Sequence, residues 1–271
     1  MNQKQWIPND ESLEKNLSYI TRTNRYIAGV VFVLLSLIGL VVGQLLIGLA
    51  AGVVAAFVAQ RVIFASTRNV FNAVADTVPA SELHHARVFN VIDGLCVVSG
   101  DQRPSVRIVD SAFPVATVLV GDNGKGIIAV SESFVRTMDR VEVEAVMAHL
   151  LWRLRMGHPQ LIAYFAGLGS VMSKVGLSAL VSRLSEKALQ QEMVLWADIA
   201  ACQVTRFPPA LISALEKSAL SQDHVSCGVA EALCFALPIE NRSDTNRVRK
   251  VSNVVMARPL VAERIAILKE I

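Results

Sequence analysis

From Tyr26 to Gln60 the chain carries no Asp, Glu, Lys or Arg. A helix that crosses the hydrocarbon of a bilayer needs about 20 apolar residues. The run is too long for one comfortable span and just long enough for two short ones. Gly43-Gln44 lies near its middle, where a polar residue beside a glycine suits a turn. The pattern therefore predicts a membrane helical hairpin, Tyr26–Gly43 and Gln44–Ile63. A signal peptide would have a shorter apolar core followed soon by a small-residue cleavage site. This run starts too late and is too long for that. The whole chain of 271 residues is 53% hydrophobic and 18% charged, more apolar than an ordinary soluble domain.

Flanking charge sets the expected orientation. Lys15, Arg22 and Arg25 precede the run, and Arg61 and Arg68 follow it. Basic residues on both sides place both ends in the cytoplasm, which an even number of spans allows. The formal net charge of +3 is no nucleic-acid signature, which requires a concentrated basic face. The one basic cluster, Arg242, Arg247, Arg249 and Lys250, reads as a solvated loop, with contact to anionic lipid headgroups as the alternative. Cys96, Cys202, Cys227 and Cys234 form no C-x-x-C pair. In a cytosolic domain they are expected as small buried hydrophobes.

Three segments follow from this reading: a polar cytosolic arm over 1–25, loose or briefly helical, the hairpin over 26–64, and a cytosolic domain over 65–271. Val74, Val78, Leu83, Val88, Val91, Ile92 and Leu95 recur at helical spacing, with Pro79 interrupting them. Residues 65–100 are thus expected to be helical. Ser105–Val109 alternates like a strand, and Val115–Val120 and Gly126–Val130 are short β-branched runs on either side of a glycine-rich turn. That turn, Gly121 to Gly126, has neither the P-loop pattern nor the dinucleotide-binding order of glycines. Helical periodicity returns from Arg140, with breaks at Gly157-His158-Pro159, at Phe207-Pro208-Pro209 and around Pro238.

Within Val141–Arg155, a helix-forming stretch, His149 sits four residues before Arg153. The zinc-peptidase pattern H-E-x-x-H puts two imidazoles one turn apart on a helix, with a Glu beside the first to polarise metal-bound water. Here the slot reads His149-Leu150-Leu151-Trp152-Arg153. A lone histidine on an apolar helix is ordinarily a core or surface residue. The surroundings change that reading. Asp110-Ser111-Ala112-Phe113, the predicted hairpin, Ile127–Phe134 and Asp139–His149 together resemble the HtpX-like membrane zinc metallopeptidases. In that family an N-A-F segment, a β-hairpin and a D-R-x-E-[LV]-E-x-V-x-A-H-E-x-x-H helix follow one another. Ala197-Asp198 through Thr205, then Ala210–Lys217, resemble the family's E-x-x-A-D segment and the helix beyond it. Arg258-Pro259-Leu260-Val261-Ala262-Glu263-Arg264-Ile265 is similar to its H-P-P-x-x-E-R-I segment. The blocks come in the family's order and, with the hairpin, cover most of the chain.

The resemblance implies a mainly α fold with a small β-sheet or hairpin (α+β, gluzincin-like) behind the transmembrane hairpin. It implies little of the family's chemistry. His149 matches the first zinc ligand. Leu150 stands at the general base, Arg153 at the second ligand, Val194 at the third, and Arg258 at an auxiliary histidine. Asp198 and Arg264 match supporting positions. A catalytic zinc site needs three protein ligands and an open position; one imidazole cannot supply them, and Arg153 is a permanent cation. Glu192 is offset from Val194 on the helix face, and His158 is expected beyond a helix end, so neither rebuilds the set. No cofactor is expected, with zinc only on the alternative reading below.

Three further expectations follow. Arg153 either pairs with Asp198, tying two helices as zinc would, or lies with its stem on apolar surface and its head in water. Gln160–Val181, apolar but for Lys174, is too short for two spans, and a single span would separate His149 from Asp198. It should therefore pack in the domain or lie along the interface. The functional reading is a pseudoenzyme of the bacterial inner membrane that contacts lipid and binds a peptide or protein through a strand edge at Val115, Val118, Val120, Ile127 and Ala129. The alternative is an active membrane metalloendopeptidase with atypical ligands. A hydrolase built on Ser131 or Ser133 with His149 rests on residue types alone; serines at a strand-to-helix junction more often cap the helix.

Overall fold

The structure is a computed structural model that describes residues 10–72, 77–121, 125–188, 192–220, 233–236 and 259–271. Two long helices open it, α1 (Asp10–Val41) and α2 (Leu45–Asn72). They are joined at Gly43, whose φ of 74° is readily adopted only by a residue without a side chain. A Cβ added to Gly39 would fall 2.5 Å from the Gly48 Cα. The hairpin is therefore closed by backbone-to-backbone contact, as small residues permit between membrane helices. Both helices are long and apolar enough to cross a bilayer, over Asn16–Val41 and Leu45–Thr67. The polar arm expected before Tyr26 is, from Asp10 onward, the first half of α1. At 1.5 Å per residue α1 reaches about 48 Å and α2 about 42 Å, against roughly 30 Å of hydrocarbon. Both helices thus have ends to spare for packing against the domain.

The expected helix over residues 65–100 is corrected. After α2 ends, Thr77–Pro79 forms strand β1, Leu83 lies exposed in a turn, and α3 spans Ala86–Ser99. Helical spacing of apolar residues carried across Pro79 joined two elements that the proline separates. β2 (Ser105–Val109), β3 (Ala116–Val120) and β4 (Gly126–Ser131) complete a four-stranded sheet in the order β1-β2-β4-β3. β2 and β4 run parallel, while β3 returns antiparallel to β4.

Helices α4 (Glu132–Thr137), α5 (Arg140–Arg155), α6 (His158–Ser173), α7 (Ser178–Ala188), α8 (Glu192–Thr205), α9 (Pro208–Ala219) and α10 (Val261–Leu268) follow. The main core lies between the sheet and α3, α5 and α9, around Ile92, Val118, Ile128, Phe134, Met147, Leu150 and Leu211. A second core joins α6 to the hairpin. Ile63 of α2 packs with Leu161, Tyr164, Phe165 and Leu168, and Tyr19, Ile20 and Ile27 of α1 lie against them. The segment expected to pack or lie at the interface is thus mostly α6, a helix of 16 residues. Its length of about 24 Å is short of a span, and its faces are buried against protein.

Candidate functional site

Helix α5 is set in place from its start. Asp139 is its N-cap, and Glu142 reaches back to accept from the Asp139 N–H at 2.7 Å. The buried Glu142 carboxylate also accepts from Ser213 (2.6 Å) and Lys217 (2.7 Å) of α9. Burial works to raise its pKa, but these hydrogen bonds outweigh it and hold the group below its usual value. Three turns of helix then carry His149 and Arg153 into the gap between α5 and α8.

His149, Arg153, Asp198 and Arg264 are all buried there. Arg264 of α10 grips Asp198 of α8 with two hydrogen bonds, Nε to Oδ2 and Nη2 to Oδ1, each 2.7 Å. This is the bidentate fork that a guanidinium makes with a carboxylate. The His149 Nδ1 lies 2.8 Å from Oδ1 of the same carboxylate. Burial brings Asp198 less than its partners do: desolvation raises its pKa, and Arg264 and His149 together draw it down to about 2. His149 is pushed down to about 4, chiefly by desolvation, with Asp198 opposing. It is neutral at pH 7. Its Nε2 is buried with no hydrogen-bond partner among the described residues.

The expected Arg153–Asp198 pair is corrected. Asp198 is taken by Arg264 and His149, while Arg153 Nη1 donates to the carbonyls of Leu233 (2.9 Å) and Cys234 (3.2 Å). The alternative of a solvated head is corrected too, since Arg153 is only 1% exposed. Leu233–Ala236 passes across the site: Cys234 faces Thr117 of β3 in an antiparallel bridge, and the Phe235 N–H donates to the Ala116 carbonyl at 2.7 Å. The Phe235 ring meets the His149 imidazole edge-on at 5.2 Å. Arg264 completes the enclosure, with Nη1 donating to the Phe235 carbonyl at 2.7 Å.

Comparison with known proteins finds relatives of one kind over most of the chain. A Protease HtpX homolog of Limosilactobacillus fermentum is 26% identical over 90% of this chain and 94% of its own length. One from Ligilactobacillus salivarius is 24% identical over 83% and 90%, and one from Dictyoglomus thermophilum is 24% identical over 66% and 67%. The chain is HtpX-like. No family model and no solved structure matches it. The relatives and the two long apolar helices make it an integral membrane protein.

Among the described residues, the groups around His149 do not fit a zinc ion. Among the described residues no three of His, Cys, Asp and Glu converge as a ligand set. The residues that the sequence resemblance matched to ligands are His149, the buried cation Arg153 and the buried apolar Val194, and the Phe235 ring lies against the imidazole. Leu150, which the resemblance matched to the general base, is fully buried in the main core. Arg258 lies outside the described residues, as do Cys227 and the basic cluster from Arg242 to Lys250. His158 lies past the end of α5, as expected, and opens α6, buried, with its ring edge-on to Trp152 at 5.4 Å. Desolvation, then the charge of Arg153, push its pKa down to about 3.

The proposed strand edge is partly corrected. β4 lies inside the sheet, so Ile127 and Ala129 are not at an edge. β3 is an edge strand and carries Val118 and Val120, while Val115 precedes it and donates its N–H to Ser131 Oγ (2.9 Å). Ser131 Oγ also accepts from Phe134 N (3.0 Å) and donates to the Phe113 carbonyl (2.6 Å), which makes it a helix cap rather than a nucleophile. The sequence reading missed Leu233–Phe235 as part of the site. The only signal was the apolar run Ala232–Leu237 ahead of Pro238.

Proposed function

We propose that this HtpX-like chain is a non-catalytic, membrane-anchored module that binds a peptide or a protein partner. One observation carries this reading. Where the family resemblance puts a metal ligand, the chain has a buried guanidinium committed to backbone carbonyls. The general-base position is a core leucine, which cannot accept a proton. Polar machinery that would move a proton or polarise a substrate is therefore replaced by groups that hold polypeptide backbone. Basic residues on both flanks of the hairpin support cytosolic termini in a bacterial inner membrane. The partner is a protein of the same membrane or of its cytosolic face, and regulation of a membrane protease is one role that fits.

A working metalloendopeptidase with atypical ligands is the second reading. It draws support from the buried, unpartnered Nε2 of His149 and from Asp198 beside Nδ1, since a ligating imidazole is ordinarily oriented by such a carboxylate. Metal analysis of the purified full-length protein separates the two. The module reading expects zinc well below one per chain, unchanged by His149→Ala. Stoichiometric zinc that disappears in His149→Ala would establish the peptidase instead.

A further inference from the structure

We propose that the corner between α6 and α7 is seated in the membrane leaflet on the domain's side. Val175, Leu177 and Leu180 there meet acyl chains, and Lys174 and Arg183 meet anionic headgroups. The proposal is independent of whether the domain is a module or a peptidase. It follows first from the register of the hairpin, in which Gly39 faces Gly48 and Gly52 faces Phe32. Carried along two antiparallel helices, that register sets Arg25 level with Arg61 and Tyr19 level with Thr67. The exposed Arg25 and Arg61 thus mark one rim of the uncharged run Tyr26 to Gln60.

Helix α6 advances along the hairpin towards that rim. Its N-cap Gly157 lies against Leu13, and Asn16 donates to the Met156 carbonyl. Further on, the Phe165 ring is 6.2 Å from that of Tyr19, and Gly167 lies against Thr67. Gly157 to Phe165 is eight steps of α6, and Leu13 to Tyr19 is six of α1. At the same pace the next eight steps, to Ser173, bring α6 level with Arg25. Ile27, inside the uncharged run, packs on the same cluster as Val181 of α7. The turn from Lys174 to Leu177 therefore lies at the edge of the hydrocarbon. Neither α6 nor α7, of 16 and 11 residues, is long enough to cross it.

The side chains of the corner suit that place. Helix α6 is buried from Leu161 to Leu168, but Val175 is 65% exposed, Leu177 48% and Leu180 54%. Helix α7 buries Val181 and Ser185 and leaves Leu180 and Arg183, one turn apart, on its exposed side. Backbone that enters hydrocarbon must satisfy its own polar groups. The N–H groups of Lys174, Val175, Gly176 and Leu177 all donate to carbonyls of Val171, Met172 and Ser173. No Asp or Glu lies between His158 and Ser185, whereas Lys174 and Arg183 are exposed. Long basic side chains keep their stems on apolar surface and their heads among headgroups, and anionic lipid attracts them. The corner gives the domain a second hold on the bilayer, which fixes its tilt.

The test uses the full-length protein in lipid nanodiscs. Cys96, Cys202 and Cys234 are buried, so with Cys227→Ala a nitroxide label reports one introduced cysteine. The positions are Val175→Cys and Leu177→Cys, with Val33→Cys of α1 as the membrane reference. Val141→Cys, at the end of α5 away from the hairpin, is the aqueous reference. All four side chains are exposed, so none of these changes touches the core. Collision with oxygen reads hydrocarbon, and collision with a nickel chelate reads water. In discs of phosphatidylcholine and phosphatidylglycerol, the oxygen-to-nickel ratio at Val175 and Leu177 should exceed that at Val141 several-fold and approach that at Val33. Ratios equal to that of Val141 overturn the proposal. Lys174→Glu with Arg183→Glu should lower the Leu177 ratio towards the Val141 value, and so should discs of phosphatidylcholine alone. A Leu177 ratio that stays put in either case overturns the assignment of the two cations to anionic headgroups.

Discussion

At the scale of residues, the buried charges decide what the site tolerates. Arg264 and Asp198 are each almost wholly buried and satisfy one another. Removing one charge strands the other in a low dielectric, which costs about 3–5 kcal/mol. Asp198→Asn is therefore expected to lower unfolding free energy by that order in a detergent denaturation series. A loss under about 1 kcal/mol would mean that Arg264 finds another partner. The histidines make a different prediction. His149 and His158 have folded pKa values of about 4 and 3, against about 6.5 in an unfolded chain. Between those values the unfolded state binds protons that the folded state refuses, so stability is complete above about pH 6.5 and falls as pH drops. Each histidine contributes a slope of up to about 1.4 kcal/mol per pH unit near pH 5. The Asp198 contribution is lost lower, from about pH 4 towards 2, because its folded pKa is depressed. Stability measured from pH 7 to 4.5 should thus fall steadily, and His158→Phe should remove about half of the slope. A flat profile would show that neither imidazole is buried uncharged.

At the scale of elements, the sequence was most legible where one local pattern decides the outcome. The helix over Val141–Arg155, the strand Ser105–Val109 and the break at Gly157 were all readable from period and punctuation, and the structure has each of them. Strand order was not readable, because parallel pairing of β2 with β4 depends on a connection rather than on either strand's composition. The partner of Asp198 was misassigned for a similar reason. Arg153 is near in the motif, whereas Arg264 lies 66 residues away and reaches the site only once α10 has docked. The docking of α6 on α2 was likewise hidden in single glycines. A Cβ on Gly167 would fall 2.6 Å from the Thr67 backbone nitrogen, whereas one on Gly94 of α3 meets nothing within 4 Å. The same substitution should therefore act in opposite directions. Gly94→Ala is expected to stabilise α3 by up to about 1 kcal/mol through helix propensity. Gly167→Ala is expected to cost about 1–3 kcal/mol, because two backbones must part. Melting temperatures of the two variants in one detergent would check both signs, and an unchanged Gly167→Ala would mean that α2 and α6 do not cross there.

At the scale of the whole molecule, the anchor is a structural part of the domain it anchors. Helices α1 and α2 are longer than the hydrocarbon is thick, and Ile63 of α2 with Tyr19, Ile20 and Ile27 of α1 covers Leu161, Tyr164, Phe165 and Leu168 of α6. Asn16 Nδ2 also donates to the Met156 carbonyl at the end of α5, at 2.8 Å. Burying each large apolar side chain contributes roughly 1.5–3 kcal/mol. Four of them approach the about 5–15 kcal/mol by which a whole domain is stable. The arm, hairpin and domain of a purely sequential division are therefore not independent parts. A chain of residues 77–271 would expose the α6 face that the hairpin covers. It is expected to aggregate in buffer, or to stay dispersed only with detergent on that face. Recovery of this fragment as a detergent-free monomer, melting within a few degrees of the full chain, would show the hairpin to be a mere tether. The same coupling bears on the β3 edge. Helix α5 carries Arg153 and leads through Gly157 into α6, so the residue that holds the Leu233 and Cys234 carbonyls beside β3 is one short turn from the helix that the membrane hairpin packs against.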